Sequence, residues 1–257
     1  MRSVRHTRIP LPSPENRRLI LESEEMIAPV PLELQPWFHR YAATHVDRLT
    51  IDIDLLQQYV PLGQTILEIG SVPLLLTQAA ASLGYDIHGV DVGPERFAEA
   101  ISRLGLQVNK CDVEVESLPF PSHSFDIALF NEIFEHLRIN PIMTLEEVAR
   151  VLKPGGLLFL STPNLRSLKG ISNFVIHDKS ESSCTDIFDE YGKLAQIGHM
   201  GHVREYTVTE VVTFLRRVGF DPIRVIFRGG ERYRRKRLLF TMIPSLQPFF
   251  SVIARRR

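Results

Sequence analysis

From Gln64 onward, short apolar runs alternate with amphipathic stretches at a regular rhythm. Thr65–Ile69 reads as a strand. Leu75-Leu76-Thr77-Gln78-Ala79-Ala80 reads as the helix after it, with Gly84 where a helix C-cap is expected. Tyr85–Val90 is a second strand. The next helix starts at Pro94, a favourable first-turn residue, presents Phe97, Ile101 and Leu104 on one face, and stops at Gly105. Strands follow at Leu106–Asn109, Phe125–Phe130 and Leu157–Ser161. Pro119–Ser124 is a loop, and Asn131–Leu137 opens a turn or helix. The spacing predicts a helix over Leu145–Leu152, halted at Pro154-Gly155-Gly156. Thr207-x-x-Glu210 is a capping box opening a helix through Val218. Phe220–Phe227 and Phe249–Arg256 are the remaining strands. Alternating β and α at this rhythm predicts an α/β fold: a doubly wound, mostly parallel sheet with right-handed crossovers.

Two regions do not keep the rhythm. Residues 1–60 read as an N-terminal helical appendage, punctuated by Pro10, Pro12, Pro14, Pro29, Pro31 and Pro36, with helices around Glu15–Met26 and Trp37–Tyr59. Trp37, Phe38 and Tyr41 put aromatic surface on one turn, which either covers a pocket or docks the appendage on the core; docking is the favoured reading. Within the main domain, residues 61–257, the polar segment 163–206 reads as an insertion over the crevice.

The candidate chemistry sits at the strand ends. Ile66-Leu67-Glu68-Ile69-Gly70-Ser71 carries an acid and then a glycine, and Ile87-His88-Gly89-Val90 ends in Asp91, 23 residues after Glu68. In a doubly wound sheet these tips line the ligand crevice, and an acid at the second tip is placed to accept hydrogen bonds from ribose hydroxyls. The turn after Gly70 reads Ser71-Val72-Pro73-Leu74, without the further glycines that let a backbone close on a pyrophosphate. A nucleoside without a diphosphate points to S-adenosylmethionine more than to NAD.

Composition narrows the setting. The chain has 257 residues, 44% of them hydrophobic, enough for one full α/β domain with appendages. No apolar run reaches the roughly 18 residues of a spanning helix, and the N-terminus has no apolar signal core, so a cytoplasmic protein is expected. The two cysteines, Cys111 and Cys184, stand in no metal or redox spacing and fit a reducing compartment. Net charge is zero, but residues 231–257 hold eight basic side chains against Glu231 alone. Such a tail could contact phosphates or an anionic membrane surface peripherally; solvated arginines flanking a last strand are the plainer reading.

Taken together, Leu67-Glu68-Ile69-Gly70, Gly89-Val90-Asp91, Cys111-Asp112, Leu118-Pro119-Phe120-Pro121 with Phe125-Asp126, Glu135-His136-Leu137, Arg150-Val151-Leu152-Lys153-Pro154-Gly155-Gly156 and Ser161-Thr162-Pro163-Asn164 resemble a class I S-adenosylmethionine-dependent methyltransferase over roughly residues 60–225. The resemblance implies a Rossmann-like methyltransferase sheet with an antiparallel last strand. It also implies a cofactor site made by Glu68, Gly70, Ser71, Asp91, Val92, Asp112, Val113 and Asn131. In that site Asp91 takes the ribose diol, Asp112 and Val113 the adenine, and Asn131 stands near the sulfonium. The departure from the family is at Val72 and Leu74, positions often occupied by glycine.

Methyl transfer to a hydroxyl needs a positioned acceptor and a route for its proton. Glu132-Ile133-Phe134-Glu135-His136 is the candidate: on a helical turn, Glu132, Glu135 and His136 share a face. The pattern resembles the metal site of methyltransferases acting on ubiquinone precursors and on 2′-hydroxyls of small RNAs. His202, in Gly201-His202-Val203-Arg204-Glu205-Tyr206-Thr207, would then be a fourth ligand to Mg²⁺ or Mn²⁺. Alternatively His136 or His202 is a plain general base, with Glu132 beside it. His199 reads as a solvated loop residue. Three functions stay open: an O-methyltransferase acting on a small molecule or glycan, the leading one; an RNA 2′-O-methyltransferase; and a binding protein that keeps the fold without catalysis.

Overall fold

The computed structural model describes residues 5–8, 11–179, 188, 191–192, 201–230 and 236–257. Its strands are β1 (Arg5–Arg8), β2 (Thr65–Ile69), β3 (Asp86–Asp91), β4 (Gln107–Lys110), β5 (Phe125–Asn131), β6 (Leu152–Pro163), β7 (Phe220–Arg228) and β8 (Phe249–Arg256). They form one sheet in the order β1-β7-β8-β6-β5-β2-β3-β4. Only β8 runs antiparallel to its neighbours, between β6 and β7. The helices are α1 (Pro14–Ile27), α2 (Gln35–Tyr59), α3 (Leu75–Ser82), α4 (Ala98–Leu104), α5 (Pro141–Val151), α6 (Leu168–His177), α7 (Val208–Arg217) and α8 (Arg237–Met242).

Alternation along the strands sorts the core into two layers. Ile66, Ile127, Leu129, Phe159, Ile226 and Ile253 pack with α1 to α4 on one face. Leu67, Ile69, Ala128, Phe130, Leu160 and Val252 pack with α5 and α7 on the other. Residues 1–60 supply much of the first layer: Ile20, Phe38, Leu49, Ile53 and Leu56 are buried with the sheet residues, so packing is continuous across residue 60. Pairing of β1 with β7 adds an edge strand that the polar N-terminal residues did not announce.

Several boundaries differ from the sequence expectation. The run at 106–109 shifts to β4, Gln107–Lys110. Helix α5 ends at Val151, just before Pro154-Gly155-Gly156 as expected, but β6 already starts at Leu152, which pairs with Phe125; the register then shifts before Leu157 pairs with Ile127, and Gly155 in that irregularity takes φ 79°. The capping box on α7 is formed as read, with Thr207 Oγ1 accepting from Glu210 N at 3.3 Å and Glu210 Oε2 accepting from Thr207 N at 2.8 Å. In segment 163–206 the ends are pinned together: Leu165 N donates to Tyr206 O at 3.0 Å, and Asn164 bridges Tyr206. Helix α6 leaves from this point. His199 and Cys184 lie outside the described residues. Much of the basic tail is sheet: β8 is buried along Phe250–Ala254, and Arg257 Nη2 donates to Arg216 O at 2.7 Å. Residues 231–235 of that tail are outside the described residues. Among the described residues no helix is long and apolar enough to cross a membrane.

Candidate functional site

The C-terminal tips of β2, β3 and β5 open onto a cavity of about 230 Å³. Gly70, at the β2 tip, has φ 74°, a conformation that calls for glycine, and a Cβ there would stand 2.2 Å from Ile133 Cδ1, so the isoleucine would have to move to admit one. Four residues on, Leu74 takes φ 74° without being glycine. That conformation costs a branched side chain about 1–2 kcal/mol. Here it is held by the Leu74 N–H, which donates to Ser71 O at 2.6 Å, and by full burial of the leucine side chain. The loop thus closes by packing around a residue that is not glycine.

Asp91, at the β3 tip, faces the cavity and is 9% exposed. Its Oδ2 accepts from Val72 N at 3.0 Å and its Oδ1 from Gly93 N at 2.9 Å, with Arg96 Nη2 3.8 Å away. Gly70, Val92, Asp112, Val113 and Asn131 line the same cavity. Two residues of the expected cofactor set do not. Glu68 lies beneath the floor, its Oε2 accepting from Thr77 Oγ1 at 2.6 Å, and burial pushes its carboxyl up to about 8. Ser71 is buried under Gly89, where a Cβ would meet its Oγ at 2.7 Å.

The segment after β5 is not the helical turn that the Glu-x-x-Glu-His spacing suggested. Only Phe134–His136 forms a short 3₁₀ turn, and Glu132 precedes it at φ 57°. The two carboxylates therefore part. Glu132 Oε1 accepts from Ser161 Oγ at 2.7 Å and meets Arg228 Nη2 at 3.5 Å. Glu135 Oε2 accepts from Thr162 Oγ1 at 2.9 Å, and its Oε1, which accepts no hydrogen bond, lies 3.8 Å from His202 Nε2. The four-ligand set is thus reduced to three: ligand atoms of Glu135, His136 and His202 lie within 4.8 Å of one another, and Glu132 is not among them. The His136 and His202 rings meet edge to face at 4.8 Å between centroids. Of the three, His136 lines the cavity, as does Glu132.

Burial pushes the Glu132 carboxyl up, but Arg48, Arg228 and the Ser161 hydroxyl outweigh it and hold the group below the ordinary glutamate value. Burial and the negative charge of Glu132 push Glu135 well above it. A cation beside Glu135 would offset both effects, so the donor set of one carboxylate and two imidazoles fits a divalent ion.

Sequence reasoning missed the charges behind Glu132. Arg228, at the tip of β7, is 2% exposed and donates through Nη1 to Asp52 Oδ1 of α2. Arg48, one turn earlier on α2, donates through Nη2 to Tyr41 Oη at 2.8 Å. The signal was present: an arginine and an aspartate four residues apart, amid the buried Leu49, Ile53 and Leu56, put charge on the apolar side of a helix.

Comparison with known proteins agrees with this geometry. A methyltransferase domain model matches residues 67–160. The ubiquinone biosynthesis O-methyltransferase of Nitrosospira multiformis is 27% identical over 177 residues, 66% of this chain and 72% of that protein. The protein of the same description from Xanthomonas axonopodis pv. citri is 36% identical over 110 residues, where the match spans 40% of this chain and 45% of the relative. A SAM-dependent methyltransferase from Archaeoglobus fulgidus shares the fold with a TM-score of 0.58 at 16% identity, covering 86% of this chain and all of that one. With the strand order, the acid-tipped crevice and these relatives in accord, residues 67–160 are a methyltransferase domain and the chain is similar to the S-adenosylmethionine-dependent methyltransferases.

Proposed function

We propose that this protein transfers the methyl group of S-adenosylmethionine to a hydroxyl of a small-molecule acceptor. The observation that carries the reading is that one cavity is lined both by Asp91 and Asp112, suited to a nucleoside, and by His136, suited to take a proton. Bound S-adenosylmethionine would supply an electrophilic methyl on sulfur, leaving as the thioether when the acceptor oxygen attacks. Asp91 would hold the ribose, Asp112 and Val113 the adenine, and Asn131 the region of the sulfur. His136 would accept the acceptor's proton, with His202 and Glu135 behind it to orient the ring. Glu132, held ionised at the wall, would face the positive methyl donor. The relatives named for ubiquinone biosynthesis support a phenolic acceptor over a glycan or a ribose 2′-hydroxyl in RNA.

A second reading concerns a metal, and the cluster of Glu135, His136 and His202 favours it. Two imidazoles and one carboxylate suit Mn²⁺ better than Mg²⁺. Held there, the ion would supply Lewis acidity beside the acceptor. One experiment tests both readings. The protein is incubated with methyl-labelled S-adenosylmethionine and a catechol such as 3,4-dihydroxybenzoate, with and without chelator. Label should move to the phenol, and His136→Gln should lower turnover at least about 10²-fold with S-adenosylhomocysteine affinity kept. Full activity in excess chelator sets the metal aside and leaves His136 as a plain base. Unchanged turnover in His136→Gln removes the base assignment.

A further inference from the structure

Helix α2 does more than dock. Trp37, Tyr41, Arg48 and Asp52 fall within roughly 60° of one another around the helix, at 100° per residue. They therefore form a single stripe along it. At one end of the stripe, Trp37 and Tyr41 line the same cavity as Asp91 and Asn131, while the neighbouring Phe38 is buried in the core. The sequence posed docking and covering as alternatives; adjacent residues of one turn do both. The Trp37 ring lies 5.6 Å from that of Tyr41 and meets Phe97 edge-on at 6.3 Å. Phe97 ends the short turn Pro94–Phe97 that follows Asp91, so Trp37 stands on the ribose side of the cavity. Arg48, bonded to the Tyr41 hydroxyl, fixes that second ring.

At the other end of the stripe, Asp52 meets the buried Arg228, which reaches on to Glu132. A bridge among groups this buried is weak evidence for stability, since well-packed apolar residues often do as well or better. Its geometry suits another task. It ties α2 to the tips of β5 and β7, on the same side of the sheet as the cavity mouth.

We propose that α2 is a wall of the cofactor site: the indole of Trp37 packs against the adenosine half of bound S-adenosylmethionine, and the Asp52–Arg228–Glu132 bridge anchors that wall to the strand tips. The proposal rests on the cofactor reading above. An aromatic face suits a flat, weakly hydrated base, and its contacts are worth a factor of about 3 to 10 in affinity.

Trp37 is the only tryptophan in the chain, so its fluorescence reports on this wall without labelling. The full-length protein is titrated with S-adenosylhomocysteine and, separately, with 5′-methylthioadenosine, which keeps the adenosine and lacks the amino-acid end. Calorimetry is run on the same samples. Both ligands should change the emission saturably, with midpoints matching the calorimetric Kd. Trp37→Leu should weaken both by a similar factor, about 3- to 10-fold. Asp52→Asn should shift the ligand-free emission to the red and weaken both ligands together. Binding by calorimetry with no change in emission overturns the proposal, as does unaltered affinity in Trp37→Leu or a loss confined to S-adenosylhomocysteine. No heat of binding with either ligand in the wild type removes the cofactor reading and this proposal together, and that result is recognisable because it needs no tryptophan signal. The wild-type titration stands even if a variant does not fold.

Discussion

Glu68 offers the sharpest test of the buried electrostatics. Its carboxyl is 7% exposed, lies within reach of the fields of Asp52 and Asp91, and receives one hydrogen bond, from Thr77. Burial is the main cause that raises it from 4.5 to about 8, with Thr77 and Arg48 opposing. The sign of the linkage follows. Below pH 4.5 the carboxyl is protonated in both folded and unfolded chains and costs nothing. As pH rises from 4.5 to 8, the unfolded chain releases the proton and the folded one keeps it, so stability falls at about 1.4 kcal/mol per pH unit. The whole window is worth about 5 kcal/mol, and above pH 8 the penalty is constant. Glu68→Gln removes the titration and keeps an oxygen for the Thr77 hydroxyl. Urea unfolding of both proteins, ligand-free, from pH 4.5 to 9 should show near-equal stability at the acid end. The variant's advantage should then grow through neutrality and level off near pH 8. Taking the difference cancels the titration of every group that does not interact with Glu68. A difference that stays flat across the range would refute the buried, protonated glutamate and place its carboxylate in contact with water or a cation.

Two further outcomes are expected. Asp91→Ala should abolish measurable S-adenosylhomocysteine binding by calorimetry while circular dichroism still reports a folded chain. Two ribose hydrogen bonds to a charged acceptor are together worth about 3–6 kcal/mol, so wild-type affinity would sink the assignment. Deleting Phe249–Arg257 should give insoluble protein. The lost strand sits between β6 and β7 and would leave two long inner edges unpaired; a soluble truncation that still binds the cofactor would contradict this.

The sheet was legible because its strands carry their own signal. Largely buried on both faces, β2, β5 and β8 read as mostly apolar runs, and the span Phe249–Arg256 was found to the residue. What failed were places where local chemistry is ambiguous. Pro154-Gly155-Gly156 looks like a helix stop followed by a loop, and the helix does stop at Val151, yet Leu152 already pairs with Phe125 and the glycines sit in an irregularity inside the strand. Strand β1, with the sequence Arg-His-Thr-Arg, has no hydrophobic pattern at all and is defined by its pairing partner β7. Helix α6 was hidden inside a segment read as polar, although Ile171, Phe174, Val175 and Ile176 give it an apolar composition.

The site divides along the same line, between residues that act from a strand tip and those that act through a contact distant in sequence. Asp91 was read from its strand tip, which fixes where a side chain points, and Asp112 and Asn131 from the family resemblance; all three line the cavity. Glu132 and Glu135 were misjudged because their relation depends on the backbone at one residue. With Glu132 at φ 57° the two carboxylates turn to opposite partners, Ser161 and Arg228 on one side, Thr162 and His202 on the other. A non-glycine residue in the left-handed region, next to a buried carboxylate, is strain of the kind that clusters at functional sites. Here the strain and the buried charges have one geometric effect. They hold an ionised Glu132 at the cavity wall while Glu135 is withdrawn beside two histidines, so that two acids three residues apart in sequence occupy different electrostatic environments. Arg228 completes that separation from 96 residues away in the chain. No local pattern reports such a contact, which is why Arg228, which with Arg48 holds Glu132 in its charged state, went unread while Glu132 itself did not.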